Sequence, residues 1–175
     1  MIVNRNSLLH MKPIHHMVRD KFREHGVTSG LSEAGYDIRI AETIQFVARG
    51  HGERRAMTVT VNSEKTGTFG PKIGRFALAS AMEEFDMPTN LVGVVHDKST
   101  WARRGLSVFN TVIEPGWCGF LTLELVYHGD EELLIPAGAG IAQVVFHTTS
   151  NEAEYNGRYQ NQKAGPQPAK SSERA

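Results

Sequence analysis

The chain carries one cysteine, Cys118, in 175 residues, so no internal disulfide can form and a reducing, cytoplasmic compartment is the simple expectation. It has no excess of either charge, 19 Lys and Arg standing against 19 Asp and Glu. That balance excludes bulk attraction to a nucleic-acid polymer or an anionic membrane surface. No apolar run reaches the length of a membrane span, and Met1-Ile2-Val3-Asn4-Arg5 does not open a secretory leader. No internal repeat stands out. A chain of this length is expected to bury one core as one domain.

Most of the chain alternates with period two. Tyr36, Ile38 and Ile40 alternate with Asp37 and Arg39, and Met57, Val59 and Val61 with Thr58 and Thr60. This is the pattern of half-buried strands. Phe76–Ala79, Leu91–Val95, Leu133–Ile135 and Ile141–Phe146 read as further strands. The polar, Gly-containing stretches 50–55 and 63–72 read as connections, as does the segment ending Asp86-Met87-Pro88. Pro13 to His25 reads as a short helix, because Ile14, Met17, Val18 and Phe22 fall at helical spacing and Gly26 suits its C-terminal end. Many short strands, Gly/Pro turns and one helix predict an all-β barrel or sandwich over residues 1–150. The polar residues 151–175 read as a flexible tail.

The chemistry concentrates in residues 93–125. Lys98, Ser99, Thr100, Arg103 and Arg104 follow a strand directly, a set of charges and short donors that suits a polyphosphate. Glu114 precedes the turn Pro115-Gly116. Glu124 interrupts an apolar run and faces away from the row Leu121, Leu123, Leu125. A carboxylate there is either an ordinary surface glutamate or one that is paired or used.

These residues resemble the dCTP deaminase family of the dCTP deaminase and dUTPase superfamily. Lys98-Ser99-Thr100-Trp101-Ala102-Arg103 resembles the deaminase phosphate-binding motif. Ile113 to Gly119 resembles the shared turn motif, with Glu114 in place of the usual Asp, and Leu123-Glu124-Leu125 the segment with the catalytic glutamate. Ala34-Gly35-Tyr36-Asp37-Ile38 resembles the first superfamily motif, Ile141-Ala142-Gln143 the fourth, and Tyr155 to Gln162 the closing segment.

The resemblance implies a distorted, jelly-roll-like β-barrel of the dUTPase type, with one short N-terminal helix and residues after 150 closing over bound nucleotide as a lid. It implies hydrolytic deamination of a deoxycytidine nucleotide, most simply dCTP to dUTP and ammonia, with sites between the subunits of a homotrimer. It makes Glu124 the general acid/base, has Ser99 hold the attacking water, and has Arg103 orient the glutamate. It places Lys98, Thr100, Asp37, Asn110, Thr111, Glu114, Gln143, Tyr155, Arg158, Tyr159 and Gln162 at the substrate. Mg²⁺ is expected only as companion of the triphosphate. Zinc is not expected, because one cysteine cannot supply the Pro-Cys-x-x-Cys element of zinc-dependent deaminases. A dUTPase, a bifunctional deaminase–dUTPase and a non-catalytic nucleotide-binding barrel remain open.

Overall fold

The computed structural model of the chain describes residues 1–50, 56–65, 67–109 and 112–170. The elements are, in order, β1 (Ile2–Val3), α1 (Arg5–Met11), β2 (Lys21–Glu24), β3 (Val27–Leu31), β4 (Gly35–Arg39), β5 (Thr43–Arg49), β6 (Ala56–Ser63), β7 (Gly67–Ile73), β8 (Phe76–Asp86), β9 (Leu91–Asp97), α2 (Ser99–Ala102), β10 (Leu106–Phe109), β11 (Val112–Ile113), β12 (Cys118–Tyr127), β13 (Leu133–Ile135) and β14 (Gly140–Thr148). The architecture is all-β, as the alternation predicts.

Three sheets enclose one core. The largest runs β11-β9-β14-β4-β3-β2, with β1 added beside β14. A second has β12 between β10 and β8, and a third runs β13-β5-β6-β7. The inward residues of these strands, among them Ile38, Ile40, Phe46, Leu123, Leu125, Ile141 and Phe146, are buried. Their removal from water is the main favourable term in folding.

Strand β8 joins two of the sheets. It pairs with β12 at both ends, but Ala81 to Glu83 stand opposite the single residue Leu121, where the register shifts between Phe120 and Thr122. The freed stretch turns toward β4. Ala81 bridges Ile40, and Glu83 accepts hydrogen bonds from Arg39 N at 2.9 Å and Arg39 Nε at 2.8 Å. Glu42 braces the same bend, accepting from Ser80 N at 2.7 Å and Ser80 Oγ at 3.1 Å. Both carboxyls are buried, and burial pushes both above the ordinary carboxylate range against the pull of these hydrogen bonds.

The structure corrects three sequence expectations. Residues 13–25 are not a helix; the N-terminal helix is α1, ahead of Pro13. Ile14 instead bridges Phe85, and Lys21–Glu24 pair with Val27–Gly30 as a hairpin. Its two loop residues, His25 and Gly26, have φ 52° and 76°. Two successive positive φ values define a tight hairpin turn, so Gly26 serves a strand pair rather than a helix end. Residues 63–72 are not merely a connection, because most belong to edge strand β7, which is exposed throughout and therefore shows no apolar row. The segment ending at Asp86 is strand as well, the continuation of β8 through the bend. The stretch 51–55, expected as a polar connection, lies outside the described residues.

Candidate active site

Glu124 lies on β12 between Leu78 of β8 and Phe109 of β10. Leu123, Leu125 and Tyr127 point into the core, so Glu124 points out, as the alternation predicts. It faces a cleft of about 580 Å³. Trp117, Tyr155, Tyr159, Phe76 and Leu78 give this cleft aromatic and apolar walls; Glu114, Gln162, Leu121 and Thr122 also line it. Glu124 is half-buried, and burial raises its carboxyl above the ordinary 4.5, partly opposed by its own backbone. A carboxyl tuned upward beside an apolar wall can take a proton from water and return it at neutral pH.

The C-terminal segment forms one side of the cleft. Tyr155 N donates to Pro115 O at 2.8 Å, Trp117 Nε1 to Tyr159 O at 2.8 Å, and Phe120 N to Gln162 O at 2.9 Å. Gln160 grips the turn from both ends of its amide, with Nε2 donating to Gly116 O at 2.7 Å and Oε1 accepting from Cys118 N at 2.8 Å. Gly119 makes this approach possible. Its φ is 131°, and a Cβ there would lie 2.5 Å from Gln162 N. Residues 167–169 continue across the cleft.

The other expected site residues gather elsewhere. Asp37 of β4 and Gln143 of β14 are register partners in the largest sheet. Lys98, at the end of β9, reaches this pair, its Nζ 2.6 Å from Asp37 Oδ2 and 3.1 Å from Thr28 Oγ1. Gln143 Nε2 donates to Asp37 Oδ1 at 3.1 Å and to Ser32 Oγ at 2.9 Å. The lysine and the aspartate that the resemblance places at the substrate are thus already paired with each other. Helix α2 is pinned by Trp101, which is buried and donates from Nε1 to Gly140 O at 2.7 Å. This leaves Ser99, Thr100 and Arg103 exposed, and none of them lines the Glu124 cleft. Arg103 and Arg104 close this helical turn.

Arg158 is exposed and bonds to Lys170 O at 2.9 Å, away from the cleft wall. Asn110 and Thr111 lie outside the described residues. The structure therefore brings together Glu124, Glu114, Tyr155, Tyr159 and Gln162, and separates them from Lys98, Ser99, Thr100, Arg103, Asp37 and Gln143. Sequence reasoning missed Thr122, Trp117 and Leu121 as cleft residues. The turn Pro115-Gly116-Trp117 signalled Trp117, but the register shift that frees Leu121 leaves no mark in the sequence.

The family model for dCTP deaminase-like proteins matches residues 8–149. The chain belongs to the dCTP deaminase-like family. Its relatives include the dCTP deaminase of Protochlamydia amoebophila, 32% identical over 154 residues that cover 83% of this chain and 82% of that one. The dCTP deaminase of Roseiflexus castenholzii is 33% identical over 158 residues, covering 83% and 84%. Among solved structures, the native dUTPase of EIAV aligns with a TM-score of 0.48 at 16% identity, over 80% of this chain and 92% of that one. In this dCTP deaminase-like chain no helix among the described residues is long and apolar enough to cross a membrane.

Proposed function

We propose that the protein hydrolyses dCTP to dUTP and ammonia, with Glu124 as general acid/base. The observation that carries the reading is a half-buried carboxyl, raised by desolvation, in an aromatic-walled cleft of a chain from this family. Trp117, Tyr155 and Tyr159 suit a flat base, since aromatic rings gain both area and stacking from one. Glu124 takes a proton from water, the hydroxide adds to C4, and the proton passes to the departing amine. One cysteine in the chain argues against the zinc version of this chemistry. Mg²⁺ accompanies the triphosphate. Asp37 suits that ion poorly while Lys98, Thr28 and Gln143 occupy its oxygens, whereas Glu114 is exposed at the cleft.

Among the described residues, those that line the cleft include no lysine or arginine. A triphosphate needs cationic partners, and Arg103 with Ser99 and Thr100 forms an exposed ridge on another part of the surface. We place that ridge at the cleft of a neighbouring copy, in a homotrimer. The exposed Phe76, Phe109 and Val112 beside the cleft supply apolar surface for such a contact. Residues 151–170 act as the lid, and water exclusion is their contribution.

Incubation of the protein separately with dCTP, dCMP and dUTP, with chromatographic identification of products, tests the reading. Conversion of dCTP to dUTP with release of ammonia is expected. Diphosphate release from dUTP alone would move the assignment to a dUTPase.

A further inference from the structure

Thr122 lies two residues before Glu124 and lines the same cleft, outside the proposed proton transfer. A threonine on a half-exposed strand ordinarily offers its hydroxyl to water. This one accepts two hydrogen bonds from the C-terminal segment, from Gln162 Nε2 at 2.8 Å and from Gln167 N at 3.3 Å, across sequence separations of 40 and 45 residues. Gln162 Nε2 also donates to Phe120 O at 2.8 Å, so both its hydrogens are spent on β12 and only Oε1 is left to face a ligand. Between the two contact points the chain passes Gly165 and Pro166, then lays Gln167, Pro168 and Ala169 along the cleft. Among the described residues, Gln167 makes no other hydrogen bond to the barrel; its side-chain Nε2 donates to Gly165 O within the tail at 3.2 Å.

We propose that Thr122 is a positioning residue, the joint that holds residues 162–167 against the strand carrying Glu124. The contact at Gln162 is shared with Phe120, but the contact at Gln167 rests on the threonine hydroxyl. Losing that hydroxyl releases the far side of the strap while leaving the Gly119–Gln162 bridge in place. The proposal rests on the reading of Glu124 as the reacting carboxyl, and extends it to what holds the cover.

Thr122→Val and Thr122→Ser test this. Valine keeps the β-branched shape that suits a strand and removes the acceptor; serine keeps the acceptor. Hydrogen exchange of the full chain without nucleotide is expected to speed up at the Gln167 amide by on the order of tenfold in the valine variant, the loss of one neutral hydrogen bond. Serine should restore wild-type protection. With dCTP, the valine variant should show a raised KM and lowered kcat at an unchanged thermal midpoint, again restored by serine. Unchanged protection in Thr122→Val, serine behaving like valine, or a valine variant that turns over faster than wild type would each overturn the joint. If wild type releases no ammonia from dCTP, the functional reading fails, and the nucleotide-free exchange experiment still decides the role of Thr122.

Discussion

Lys98 Nζ sits 2.6 Å from Asp37 Oδ2, with the two side chains 10% and 3% exposed. A pair so withdrawn from water is worth little net, but removing one partner strands the other charge. Lys98→Met is therefore expected to cost about 3 kcal/mol of stability, and Lys98→Met with Asp37→Leu distinctly less than the sum of the single changes. Urea unfolding of the three variants measures the coupling. Additive losses would show that the contact does not hold the β4–β14–β9 sheet.

Glu124→Gln keeps the shape of the side chain and cannot carry a proton. Ammonia release should vanish while nucleotide binding stays within roughly tenfold, about 1.4 kcal/mol. Calorimetric titration with dCTP separates the two effects, and turnover near wild type in the variant would remove Glu124 from the mechanism.

The partition of site residues into two groups makes its own prediction. In the trimer proposed above, the Glu124→Gln and Arg103→Ala proteins are each expected to be inactive. Unfolded together and refolded as a mixture, they should regain activity, because some sites then pair an intact Glu124 with an intact Arg103 from a neighbour. A mixture as inactive as its parents would mean that each chain builds its site alone.

Glu42 gives the fold a pH dependence of known sign. Burial raises its carboxyl above the ordinary 4.5, with the Ser80 donors opposing. The folded state thus holds the proton more tightly than the unfolded chain. That contribution is complete below the ordinary value and is lost as pH rises through the folded one. Glu42→Gln stays neutral throughout, so its stability should decline less than that of wild type over this rise. Urea midpoints followed upward from pH 4.5 test it; parallel curves for the two proteins would sink the idea.

The alternation of Tyr36, Ile38 and Ile40, or of Leu123 and Leu125 about Glu124, was legible because one face of each strand is buried and the other is not. β7 was illegible for the opposite reason. Exposed on both faces, Gly67–Ile73 carries no periodic signal and looks like a loop. Ile14, Met17, Val18 and Phe22 mimic helical spacing by coincidence: Ile14 is buried in its bridge to Phe85, Met17 packs only partly against the core, Val18 N donates to Tyr36 Oη, and Phe22 stands on β2, whose turn at His25-Gly26 decides the matter. At the site, the resemblance to the deaminase motifs pointed to Glu124, Glu114, Tyr155, Tyr159 and Gln162, which line one cleft. That Lys98 turns inward to Asp37 while Ser99 and Arg103 face outward was not readable, because it depends on Trp101 reaching Gly140 across the fold.

The double allegiance of β8 couples the two groups of residues within one chain. Pairing with β12 ties it to the strand of Glu124, and the Ala81–Glu83 bend ties it to the end of the strand that carries Asp37. Neither sheet can open by itself at this place, since fraying one tears hydrogen bonds of the other. β8 is in this sense a keystone rather than an ordinary central strand. Its amides at Ser80 and Phe85 belong among the last in the molecule to exchange with solvent, and a change that loosens the bend is felt at both ends of the chemistry.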